Sequence, residues 1–175
     1  TTNDIAERAG VSIGSVYEYF SGKDAIVTMV ASSLISTILE KMESELILAE
    51  EMELEPALRR WIFSLYQISR EQHKIISVLL FQVPFIHKIP AIVDMRGEFF
   101  RIALLGASKT RNNLHINFSK ESIYLITTMT GSTLLHLAIM PPNGLDVDTI
   151  INELCKKMIQ WFEQQSKDGR SALTA

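Results

Sequence analysis

The 175 residues predict an all-α protein. Two observations carry that expectation. No segment sustains the period-two alternation of a half-buried strand, and Asn143-Gly144 follows two prolines instead of joining two β-branched runs. Apolar residues recur at helical spacing nearly everywhere, and several of these runs open on a hydroxyl or carboxylate residue flanked by apolar ones, the signature of a capped and stapled helix start. Hydrophobic residues make up 47% of the chain, ample for one compact domain or one domain with a small appendage.

The elements follow in order. Thr2 can cap a helix running to Ala9, with Ile5, Ala6 and Ala9 on one face; Gly10 ends it, as a residue tolerant of positive φ would. Ser12 caps a second short helix, with Val11 and Val16 as its staple. Ser21 or Gly22 starts a long helix with Asp24 in the first turn, where a carboxylate suits the dipole. That helix continues through Ile26, Val30, Leu34, Ile38 and Met42 to about Glu45. The glutamates from Glu43 to Glu55 read as a solvated helix end and loop. Pro56 suits the first position of a helix from Ala57 to about Gln72. Further helices are expected from His73 to about Val83, from Pro90 to about Thr110, and from Ser119 to Met140 with Phe118 and Ile123 as staple. Pro141-Pro142-Asn143-Gly144 breaks the chain. Leu145, Asp146 and Ile150 open a last helix to about Gln165, with a frayed tail beyond. Pattern counting gives roughly nine helices.

Composition narrows the classes of function. A single cysteine, Cys155, excludes an internal disulfide framework and fits a reducing, cytoplasmic compartment. The four histidines lie apart, and no His-x-x-x-His or Cys-x-x-Cys pair suggests a metal site. No cofactor is implied. No secretory leader is visible. The apolar runs 75–86 and 124–140 are interrupted by Gln82 and Pro84, and by threonines, Ser132 and His136. They read as buried helices, so no membrane partner is expected. A net charge of −3 makes no global case for nucleic acid. Because the first helical pattern begins at Thr1, which is not a methionine, residues upstream are expected to be missing.

The stretch from Asp4 to Ile26 supplies the local case. Two short helices joined across Gly10 match a helix-turn-helix, whose second helix enters the DNA major groove. On a wheel of about 100° per residue, Val16 and Phe20 face the first helix. Gly14, Ser15 and Glu18 point away, Tyr17 and Tyr19 flank them, and Ile13 sits near the buried edge, although at the helix start it can still reach outward. A small, hydroxyl-bearing face lets the backbone approach a groove and offers hydrogen bonds to bases or phosphates. By itself this remains compatible with an ordinary helical corner.

The register of this segment resembles the TetR family of bacterial transcriptional regulators. Thr1, Thr2, Ile5, Ala6, Ala9, Gly10, Val11, Ser12, Gly14, Ser15, Tyr17, Tyr19, Phe20 and Lys23 all fall where the family's motif has them. Gly22 stands where serine is frequent, and Ile26 where leucine is usual. The resemblance covers residues 1 to about 30; beyond that it is architectural. It implies that Thr2, Tyr17, Tyr19 and Lys23 hold phosphates and that Ser12, Ile13, Gly14 and Ser15 face bases. It also implies a basic helix before Thr1. Residues 1–24 carry Arg8 and Lys23 against Asp4, Glu7, Glu18 and Asp24, so DNA affinity is expected to draw on those upstream residues, on helix N-termini and on hydroxyls.

The same resemblance divides the chain into a DNA-binding part, 1–45, and a ligand-sensing and dimerising part, 46–175. It implies operator DNA, a small-molecule effector and a homodimer as partners, with repression the family's common habit. Trp61, Tyr66, Phe81, Phe85, Met95, Phe99, Met129 and His136 lie where the family places its cavity; for any one of them plain core packing is the commoner role, a satisfied core histidine in the case of His136. Tyr66, Gln82, Thr127, Thr130 and His136 are the few polar groups interleaved there, and Arg96 and Glu98 read as surface charges. The dimer is expected through Leu134, Leu137, Leu154, Met158, Trp161 and Phe162. The final helix carries more than one apolar stripe, so either it lies deep in the monomer or its second stripe meets a partner. Two alternatives stand beside the regulator: a helical small-molecule carrier, which leaves the opening motif unused, and a hydrolase. For the second, neither Cys155 nor His136 has a catalytic spacing around it.

Overall fold

The computed structural model describes residues 1–49, 51–109 and 119–172. Among them are eight α-helices, a single 3₁₀ turn and no strand. The helices are α1 (Thr2–Ala9), α2 (Ile13–Tyr19), α3 (Lys23–Ala49), α4 (Leu54–Glu71), α5 (His73–Gln82), α6 (Pro90–Lys109), α7 (Lys120–Ile139) and α8 (Val147–Ala172), with the 3₁₀ turn at Ile86–Lys88. The all-α expectation holds, with eight α-helices where roughly nine were expected.

Local chemistry explains most of the starts. Thr1, not Thr2, caps α1: its Oγ1 accepts from Asp4 N, and the Asp4 carboxylate receives the Thr1 nitrogen. Gly10 ends α1 at φ 68°, in the left-handed region. Ser12 and Ser119 each accept a backbone N–H three residues on, at α2 and α7. Asp146 does the same for Thr149 before α8. Phe118, the expected staple of α7, lies outside the described residues. α4 starts three residues earlier than expected, so Pro56 occupies its third position. The first bond into that helix comes from Ala57 N to Glu53 O, so the missing proline N–H leaves no acceptor unpaired. α8 continues to Ala172, past the expected end at Gln165 and through most of the tail expected to fray.

The core forms where α4 packs against α3, α7 and α8 and α3 packs against α6. Met42, Ile62, Ile102, Leu134 and Ile151 are fully enclosed there; burial of each contributes about 1.5–3 kcal/mol relative to exposure. α3 buries Ala31, Ile35, Ile38, Met42 and Leu46. The expected stripe therefore rotates: Val30 is exposed, and Ile35 takes its place in the core. A smaller cluster joins Ala31 to Leu79, Val83 and Ile89. The division expected after residue 45 falls inside α3, whose later turns belong to the main core. Glu45 departs furthest from expectation. It is 4% exposed, not solvated, and accepts from Lys41 Nζ at 3.0 Å and Arg60 Nε at 2.6 Å, pinning α3 to α4. The helical segment Lys23–Leu48 and the helix α7 are long and apolar enough to span a bilayer by length and composition. In this fold both pack into the helical core.

Candidate functional site

The amino-terminal helices carry a very small core of their own. Ala6 on α1 and Val16 on α2 are buried, while Ile5 and Phe20 are half-buried beside them. α2 has seven residues, too few to persist alone, so its position depends on α1 and on the Gly10–Ser12 turn. Its remaining faces lie open. Gly14, Glu18, Tyr17 and Tyr19 are exposed, Tyr19 at 81%. Ser15 is half-buried; its Oγ lies 2.9 Å from Ser12 Oγ, and its N–H donates to that same oxygen. Ser12 thus spends an acceptor on the cap, while both hydroxyls keep hydrogen-bonding capacity toward solvent. Ile13 is exposed, reaching outward from the start of α2. Thr2 is half-buried in the first turn of α1, and Lys23 is exposed at the first residue of α3.

Gly14 is informative because the fold does not ask for it. A Cβ there would meet Ser12 Oγ at 3.6 Å, an ordinary contact. Glycine inside a helix costs about 0.5–1 kcal/mol relative to alanine. A bare position on an exposed helix is what close approach by another molecule would require.

The middle helices enclose a cavity of about 300 Å³. Leu34, Ile35 and Ile38 of α3 form part of its wall, with Met95 and Phe99 from α6 and Thr127, Thr128 and Leu134 from α7. A space of about 40 Å³ adjoins it, lined by Trp61, Thr130 and Met158 and sharing Leu65, Phe99, Thr127 and Gly131 with it. Of the eight residues expected at a ligand site, Met95 and Phe99 line the larger cavity and Trp61 the smaller. The other five do not. Tyr66 packs on the main core and Phe85 on the smaller cluster. Phe81, Met129 and His136 are exposed, and His136 Nδ1 is engaged by Ser132 O at 3.1 Å. Helical spacing ranks residues by face but does not say which face meets a gap. The contribution of α3 was hidden for the same reason.

Arg96 has a second role. It is exposed, as a surface charge would be, yet it also lines the cavity and lies 4.8 Å from the centre of the Tyr124 ring. Two buried polar atoms, Trp61 Nε1 and Thr128 Oγ1, have no hydrogen-bond partner among the described residues.

Four residues expected at a dimer interface are inside the monomer instead. Leu134, Leu137, Met158 and Phe162 are buried in the main core, while Leu154 and Trp161 are half-buried against it. The stripe of α8 that faces inward is Ile151, Cys155, Met158 and Phe162. α7 carries an open apolar stripe: Leu125 and Met129 are exposed, with Ser132 and His136 further along and the exposed Met140 at its C-cap.

Cys155 and His136, the two residues weighed for nucleophilic chemistry, sit in different surroundings. Cys155 is buried, and desolvation pushes its thiol up to about 11, so thiolate is scarce near neutrality. His136 sits on the exposed side of α7. Among the described residues no three histidine, cysteine or acidic side chains cluster to hold a metal ion.

An exposed second helix, propped by a capped first helix across a left-handed glycine, defines a helix-turn-helix DNA-binding head. Residues 1–30 match the profile of bacterial regulatory proteins of the tetR family. The amino-terminal segment is a TetR-family helix-turn-helix domain, the DNA-binding part of a transcription regulator. No curated protein matches the chain.

Proposed function

We propose that the protein is a ligand-responsive repressor that binds operator DNA as a two-fold dimer and leaves it when an apolar or amphipathic small molecule occupies the cavity. The observation that supports this most is the double role of α3. Lys23, at its first residue, stands beside the reading helix α2, and Leu34, Ile35 and Ile38 further along the same helix line the cavity. At 1.5 Å per residue the two ends of this link lie only about 16 Å apart. A ligand that displaces the α3 wall moves the DNA-binding head. Paired reading helices must sit about 34–36 Å apart to meet successive major grooves, so a shift of a few ångströms weakens both contacts together.

Within the head, Tyr17, Tyr19, Lys23 and Thr2 are assigned to phosphates, and Ser12, Ile13, Gly14 and Ser15 to base edges. The bare Gly14 is the sharpest test. Gly14→Ala gains helix propensity and meets no clash inside the protein, so its melting temperature should hold or rise. Its affinity for the cognate operator should fall roughly tenfold or more, because the added methyl occupies the approach to the groove. Lys23→Ala should instead weaken binding to every sequence and reduce the slope of log affinity against log salt by about one. Titrations on matched and scrambled operators at several salt concentrations separate the two. A Gly14→Ala protein that binds its operator as tightly as the parent refutes the assignment of α2 to the groove.

A further inference from the structure

We infer that the effector of the cavity is a monoanionic amphiphile of about ten heavy atoms in all: a carboxylate held by Arg96 at the mouth, with an unbranched or aromatic body in the apolar interior. This rests on the effector reading above and specifies its ligand. The first support is charge. Among the described residues, every one lining the larger cavity is uncharged except Arg96, and none is a carboxylate. A cationic ligand would therefore meet repulsion with nothing to offset it, and a phosphate monoester, carrying close to two charges at neutral pH, would be half neutralised.

The second support is the state of that arginine. Arg96 forms no ion pair among the described residues. The acidic neighbour Glu98, two positions on, is engaged by Arg101 Nε at 2.9 Å. Arg96 lies against the Tyr124 ring at 4.8 Å, a contact that bridges α6 to α7 at the rim. Stacking occupies the flat face of a guanidinium and leaves its N–H edge free, and that edge fits the two oxygens of a carboxylate. An arginine tethered in this way has lost part of its side-chain freedom before any ligand arrives.

The interior sets the rest of the molecule. Beyond Arg96 the wall is mostly aliphatic, with Phe99 and four hydroxyl residues, Ser69, Thr127, Thr128 and Ser132; Thr128 Oγ1 is buried and has no hydrogen-bond partner among the described residues. A volume of about 300 Å³ corresponds to about ten water-sized units at roughly 30 Å³ each. An eight-carbon carboxylate has that many heavy atoms, and the adjoining space toward Trp61 and Gly131 admits a few more.

Calorimetry and thermal melts with the carboxylate series from hexanoate to dodecanoate, each paired with the alcohol of equal length, test this below micellar concentrations. In the parent protein octanoate or decanoate should bind at least tenfold more tightly than its alcohol. Arg96→Gln should close that gap by weakening the carboxylate alone, and Arg96→Lys should retain part of it. Gly131→Leu, at a position where a Cβ meets nothing within 4 Å, should occlude both spaces and remove both classes of ligand. Three outcomes overturn the proposal: equal affinity for acid and alcohol, full carboxylate affinity in Arg96→Gln, or no saturable binding at any chain length. The reading beneath it fails separately. If carboxylates bind through Arg96 yet leave operator affinity unchanged, the site stands and the effector role falls. If an uncharged compound releases the operator while carboxylates do not bind, the effector role stands and the present assignment falls.

Discussion

Glu45 shows how one side chain can be misplaced by its neighbours in sequence. It sits in a run of glutamates, yet α3 continues past it and turns it toward α4. Burial pushes its carboxyl pKa up. Hydrogen bonds from Lys41, Arg60 and Ser64 and the charge of Arg60 outweigh that and hold the pKa below its ordinary 4.5. A carboxyl with a lowered folded pKa contributes its stability in full above the ordinary value and loses it as pH falls through the folded value. Glu45→Gln should therefore cost about 1–3 kcal/mol at neutral pH, toward the lower end because Lys41 and Arg60 are half exposed and can turn to water. In acid, the urea-unfolding curves of variant and parent should converge. A gap that stays constant into acid would mean that the ion pairs contribute nothing and that the loss is one of packing.

α6 offers two glycines in one helix with opposite expectations. Gly97 is exposed, and a Cβ there meets nothing within 4 Å. Gly97→Ala should stabilise by about 0.5–1 kcal/mol through helix propensity and a less flexible unfolded chain. Gly106 lies where α6 crosses α3, and a Cβ there would fall 2.8 Å from Leu46 Cδ2, itself buried. Gly106→Val should destabilise by about 1–3 kcal/mol, because Leu46 has to leave its rotamer or the helices have to part. Thermal melts of the two single variants decide it; a stable Gly106→Val would show that the α3–α6 crossing is loosely packed. The same crossing is bridged by Arg101, whose Nη2 donates to Glu43 Oε1 at 2.7 Å. α6 and α3 both border the cavity, so the tightness of their contact bears on how far a ligand can move α3.

For the whole molecule, the proposed dimer would need a face other than the buried residues Leu134, Leu137, Met158 and Phe162. The final helix spends its inward stripe on the monomer, so a second copy would need an apolar face that is left open, such as Leu125 and Met129 on α7 with Met140 at its C-cap. Leu125, Met129, Ser132, His136 and Met140 recur at helical spacing, and a two-fold axis would pack that stripe against its own copy. Met129→Lys should yield a folded monomer by light scattering, with operator affinity falling steeply because two half-sites no longer act together. If the parent is already monomeric, the two-fold arrangement is wrong.

The all-α class, the ends of the short helices and the identity of the DNA-binding head were legible in the residues, for one reason: they depend on interactions within a few positions. Ser12 caps α2 and Ser119 caps α7 through bonds three residues long, Gly10 reverses the chain within one residue, and the register from Thr1 to Lys23 is a local pattern. What stayed hidden depends on which helix lies opposite. Periodicity marks Phe162 and Met129 alike as apolar helical positions, but only the packing of α8 on α4 buries the first, and only the absence of a described neighbour leaves the second open. The same distinction separates Trp61 and Phe99, which border gaps, from Tyr66, which fills one. It also explains Glu45, read as a solvated charge until Arg60 on the next helix arrives beside it, and the ring contact of Arg96, a surface charge that meets Tyr124 of α7. Capping, turns and propensity act within one turn of helix, so the sequence alone determines them. Burial, cavities and ion pairs between helices are set by residues tens of positions apart, and only the tertiary structure decides them.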